Sequence, residues 1–342
     1  MTKPLAPDLP APTAAAVRDV KRSRKVAPED VPFEAVLLDR PDDERVWSAY
    51  QADLERRGDP RAALMRVERS VEGEMELRHG FAVSVRLSSG SDLAGRIDAL
   101  RELRSTTLVR ELVVPSSEPA VIRAIERWSP PSLQRLRLGE GPDVDLGARA
   151  WNLLALPRLV ELELVGRVDV PTALVASRLR KLVVESTELS PRVFAAIAGE
   201  TWPELEELVL WLGESQLASA PVIAFLAETK LPKLVALGIC NTTLTNDVCR
   251  ALAKGGLVSR LRRLDLSRGT MSDGGAAALG TVASRFANLE LLDARENLLT
   301  PLGQEYVRRA NAHARVEDQR PGYGKGERVP AVPHWDDDEV AP

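Results

Sequence analysis

Residue types that do chemistry are few in this chain, and their spacing does not favour catalysis. The three histidines are His79, His313 and His334. None has a partner at metal-ligand spacing, and neither an H-E-x-x-H nor a C-x-x-C pattern occurs. The two cysteines, Cys240 and Cys249, are too few for a disulfide framework and fit a reducing compartment. They read as small apolar residues, Cys240 being the one placed to face solvent as a free thiol. The glycine-rich stretch GYGKGE (322–327) lacks the Lys-Ser/Thr pair and the strand–helix setting of a phosphate loop, and reads as flexible tail. No G-x-S-x-G nucleophile elbow or kinase signature is present. Glu161, Glu163, Glu185 and Glu207 offer carboxylates for acid–base work. They are accompanied by Lys181, Arg135 and Arg137, so a salt-bridged surface accounts for them. The expectation is a chain with no catalytic site, no metal and no cofactor.

The basic residues pose a second question. They are mostly Arg, the usage of a GC-rich bacterial genome, and they gather in KRSRK (21–25) and RLRRLDLSRG (260–269). A formal net charge of −4 makes the chain a poor bulk ligand for a polyanion. Nucleic acid is therefore not the expected partner. The N-terminus carries no signal peptide, and no apolar run approaches the roughly 20 residues that span a bilayer. The expectation is a cytoplasmic monomer that does not enter membranes. With aromatics at only 4% of the chain, its core must be aliphatic.

The arginines at 260–269 belong to a repeat. LRRLDL (261–266) has the form L-x-x-L-x-L, and so have VRELVV (109–114), LQRLRL (133–138), LVELEL (159–164), LRKLVV (179–184), LEELVL (205–210), LVALGI (234–239) and LELLDA (289–294). AVSVRL (82–87) is a weaker first copy. Twelve positions from the repeat starts lie Ser190, Thr245, Ser272 and Thr300. These residue types cap helices by accepting an orphan N–H. Pro191 and Pro301 follow at the first helical position. Phe194 with Ile197 and Val248 with Leu252 then continue at helical spacing. Each unit therefore predicts a strand followed by a helix.

Over about two thirds of its length the chain resembles the leucine-rich repeat family, and the longer steps resemble its ribonuclease-inhibitor-like class. The resemblance implies an α/β fold: a solenoid with a curved parallel sheet on the concave side and helices on the convex side, here over 81–313. Position nine, an Asn in many family members, is Asn297 in the last repeat. Elsewhere it is Thr187, Thr242 or Gly269, so an incomplete side-chain ladder is expected. Arg263, between two leucines on a strand, points out of the core because strand side chains alternate.

Residues 1–30 read as a disordered arm. Residues 31–80 read as a helical cap, with a third helix carrying Leu64, Val67 and Val71 after Asp59 and Pro60. The segment at 40–68 resembles a short bacterial domain that accompanies repeat arrays. The match rests on Pro41, Asp42, Tyr50, Leu54, Glu55, Gly58, Asp59, Pro60 and Arg61, and departs from the family at Asp53, where Trp is usual. Its position implies a cap over the first repeat. Arg57-Gly58-Asp59 is a helix stop and restart. Residues 314–342 read as a flexible tail.

A solenoid presents positions three, five and seven of each repeat on its concave face. In the middle of the array these include an apolar strip of Val183, Val209, Trp211, Ala236, Gly238 and Cys240, flanked by Glu185 and Asp265. An exposed Trp among small and β-branched residues is the composition of an interface anchor. The expected function is therefore a non-catalytic scaffold that binds a partner protein on this face. The runner-up is regulation of a small GTPase, because GTPase-activating proteins also carry such repeats with an acidic tail, here only WDDDEV (335–340).

Overall fold

The structure, a computed structural model, describes residues 30–320 apart from 66–68, 73, 117, 142–143, 171–173, 175–177, 214–215 and 228–230. The KRSRK arm, GYGKGE, His334 and WDDDEV lie outside the described residues. The chain divides into two compact units, one built from 30–113, 123–135 and 156–158, the other from 114–122, 136–155 and 159–320.

The first unit starts with three helices, α1 (Val31–Asp39), α2 (Glu44–Arg56) and α3 (Arg61–Met65). Asp43 caps α2 by accepting from the Arg45 and Val46 amides. At the other end Gly58 takes φ +67, and the amides of Gly58 and Asp59 donate to Glu55 and Leu54 carbonyls. That is the αL closure expected of the Arg57-Gly58-Asp59 stop. Trp47, Tyr50 and Leu54 are buried one helical turn apart, packed with Leu37, Met65, Phe81 and Leu108.

The segment expected to be helical to residue 80 turns to strand. β1 (Arg69–Glu72) and β2 (Met75–Arg78) pair antiparallel, and β2 pairs antiparallel with β3 (Phe81–Arg86). Val71, read as part of a helical stripe, lies on β1. The two-residue turn His79-Gly80, with φ +50 and +77, joins β2 to β3 and suits the twist of a tight hairpin. After α4 (Leu93–Arg101), β4 (Glu111–Val114) lies parallel to β3, so the run AVSVRL opens the parallel pairing as expected.

Charge is buried in this unit. Asp30, 0% exposed, meets Arg57 at 2.5 Å, Arg104 at 2.8 Å and Arg61 at 2.9 Å. Glu34 meets Arg104 at 2.6 Å and accepts from the Tyr50 hydroxyl at 3.0 Å. Burial, with Glu34 and Asp30 beside it, pushes the Tyr50 hydroxyl well above the usual phenol range.

The second unit is the repeat array. α5 (Pro119–Trp128) and β5 (Arg135–Leu138) straddle the two units. Beyond them come β6 (Glu161–Val165), β7 (Lys181–Glu185), α6 (Pro191–Gly199), β8 (Glu207–Gly213), α7 (Ser219–Ala227), β9 (Ala236–Thr242), α8 (Thr245–Lys254), β10 (Arg263–Asp265), α9 (Asp273–Gly280), β11 (Leu291–Asp293) and α10 (Pro301–Ala310). β6 to β11 are parallel neighbours in chain order. Positions one, four and six of every strong copy are buried, as in Leu205, Leu208 and Leu210 or Leu261, Leu264 and Leu266. The helices close the core with Val193, Phe194 and Ile197, or Val248 and Leu252.

Capping differs from expectation. Ser190 does cap α6, accepting from Val193 N at 3.2 Å. Thr245 sits inside α8 and donates to the Thr242 carbonyl. Ser272 and Thr300 begin their helices without capping them, and are held from the preceding repeat instead. Asn246 Oδ1 accepts from Ser272 N at 3.0 Å, and Asp273 Oδ1 accepts from Thr300 N at 3.0 Å. The Ser272 and Thr300 hydroxyls donate to Asn246 and Asp273 as well, and so serve the link between repeats rather than their own helix.

The array runs past 313. The Arg315 amide donates to Leu292 O and its carbonyl accepts from Ala294 N, both at 2.8 Å, and Val316 is buried. Residues 314–320, expected as tail, thus occupy the backbone edge of β11, which would otherwise stay open.

Candidate interaction surface

The face of the second unit's sheet opposite the leucine layer is set by strand register. One row runs Glu161, Lys181, Glu207, Ala236, Arg263, Leu291, and the next Glu163, Val183, Val209, Gly238, Asp265, Asp293. These are repeat positions three and five. Strands about 4.8 Å apart bring side chains on adjacent strands within reach of one another.

The charges alternate and pair. Arg137 reaches Glu163 at 3.5 Å, and Lys181 reaches Glu163 at 2.7 Å and Glu207 at 3.7 Å. Arg263 meets Glu207 at 2.5 Å. Burial alone would lower the Lys181 ammonium, but Glu163 and Glu207 hold it above the usual lysine value. The arginines that opened the nucleic-acid question are engaged likewise: Arg262 with Glu290, and Arg268 with Glu296. Glu163 and Glu207 are thus committed to ion pairs.

The apolar strip is not exposed as expected. Val183, Val209 and Asp265 are half-buried, but Ala236, Gly238, Glu185, Trp211 and Cys240 are buried. Each burial has a local cause. Ala236 lies on β9 between Glu207 on β8 and Arg263 on β10, so their ion pair passes over it. Val209 leans over Gly238, where an added Cβ would stand 2.9 Å from Val209 Cγ1. Trp211 is 0% exposed, and the Arg268 guanidinium lies 5.1 Å over its ring.

Behind Trp211 the left-handed residue is Gly213 at position nine, with φ +62, while in other repeats the chain turns back at position eight. Asn241, Arg268 and Glu296 hold that place in three successive repeats with φ +46, +59 and +53, and Gly166 takes φ +150. A left-handed residue at the strand end folds the chain over its own last side chain. Trp211 is therefore part of the packed structure, not a free anchor. Sequence reasoning missed Arg268, its cover. The trace it left in the sequence is slight, because position eight is Leu212 in Trp211's own repeat and Asn241, Arg268 and Glu296 in the later ones.

Cys240 donates weakly to the Asp265 carbonyl at 3.8 Å. Burial, with Asp265 nearby, pushes its thiol up, and burial pushes Cys249 up to about 12. Neither thiol has thiolate character at neutral pH. Asp265 faces Asp293 across β10 and β11. Arg295 grips Asp293 at 2.8 Å, while Asp265 accepts from the Ser267 amide at 2.8 Å. Burial and the Asp293 charge push the Asp265 carboxyl above the usual range. His79 lies in the first unit and His313 just beyond α10, far apart in sequence. No group of three His, Cys, Asp or Glu fit to hold a metal exists among the described residues. No helix among them is long and apolar enough to cross a membrane.

Comparison with known proteins bears on the fold. No family model matches the chain, and no curated protein does. A protein of Bacteroides fragilis of known structure superposes with a TM-score of 0.61 at 18% identity, covering 70% of this chain and 76% of that one. A leucine-rich repeat protein of Leptospira interrogans gives a TM-score of 0.27 at 14% identity, covering 64% of this chain and 62% of that one. The first likeness establishes a shared α/β fold.

Proposed function

We propose that the chain is a leucine-rich repeat scaffold of the ribonuclease-inhibitor-like class, without catalysis of its own, that binds a partner protein on the concave face of the array. The N-terminal helices then act as the companion cap of that array. One observation carries the reading. Six adjacent parallel strands hold two in-register rows of side chains facing away from the core, most of them half-exposed and Ala236, Gly238 and Asp293 buried. Such a sheet is a support whose side chains can be engaged without disturbing the leucine layer. The contact residues are Lys181, Val183, Glu207, Val209, Arg263 and Asp265. Trp211, Cys240, Glu185, Ala236 and Gly238 shape this surface from beneath it.

Rim charges set encounter and orientation more than affinity, while Val183 and Val209 supply apolar area between them. The test is charge reversal on the face. Lys181→Glu with Arg263→Glu should abolish capture of a protein retained by the wild type from lysate of the source organism, with unchanged circular dichroism. Equal capture by both would place the contact elsewhere.

A further inference from the structure

We draw no further inference here: the strongest candidate, the outer face of α7, where Ala220, Pro221, Ile223, Ala224 and Ala227 stand exposed, carries nothing, because nothing among the described residues shows what covers it.

Discussion

The two units bury polar groups in opposite ways. In the first, the centre of one charged network is buried: Asp30, Glu34 and Arg104 are buried, Arg57 and Arg61 reach Asp30 from the more exposed side, and Tyr50 is a neutral donor. In the second, most buried polar links are neutral and point at backbone. Asn297 accepts from Met271 N at 2.8 Å and donates to Leu266 O at 2.9 Å and Ala294 O at 3.1 Å. A repeat must satisfy the same backbone atoms again and again, and amides and hydroxyls do this without importing charge. A unit built once can use a unique constellation, at the risk that every member becomes indispensable. The exceptions in the second unit are the buried carboxylates of Glu185 and Asp293 and the half-buried Asp265, which faces Asp293 while Arg295 is committed to that neighbour.

This contrast can be broken by mutation. The largest effect is expected for Asp30→Asn, which strips three arginines of their shared partner. Removing one member of a buried pair costs about 3–5 kcal/mol, and urea unfolding of the full chain should read that loss. Asn297→Ala should cost less, about 1–3 kcal/mol, for the backbone groups it leaves unsatisfied. An equal or larger loss at Asn297 would remove the distinction between the units.

Asp265→Asn sharpens the comparison in the other direction. The folded state raises the Asp265 pKa, so folding favours its protonated form. Its ionisation therefore lowers stability as pH rises from the unfolded carboxylate range through the raised value. Below that window the group contributes no penalty. The variant should melt higher than wild type at neutral pH and equally at acid pH. A lower midpoint at neutral pH would contradict this. The smallest stability effect is expected for Arg263→Ala. Its pair with Glu207 is half-exposed, and such pairs contribute up to about 1 kcal/mol. A melt within that margin, together with weakened partner capture, would separate a surface role from a structural one.

The leucine layer was legible in the sequence because burial there follows the strand period. Positions one, four and six announced themselves as Leu, Val and Ile, and Arg263 was rightly placed outside. What was not legible depends on contacts distant in sequence. Trp211 is covered by Arg268, 57 positions away, through a left-handed turn that leaves little compositional trace. Ala236 is covered by an ion pair that forms only once β8, β9 and β10 are in register. The β1–β2 hairpin was hidden because Val71 fits a helical stripe as well as a strand. The pairing of 314–320 was hidden because one apolar side chain, Val316, anchors a polar stretch.

The central claim is that a protein partner contacts positions three and five of the array. The most direct measurement places a photo-crosslinking residue at Val209, on that face, and separately at Arg250, an exposed position on α8. Both proteins are irradiated in lysate of the source organism. The account predicts a discrete protein adduct from position 209, absent from 250 and lost when Lys181→Glu and Arg263→Glu are added. Adducts from 250 alone, or none from 209, would contradict it.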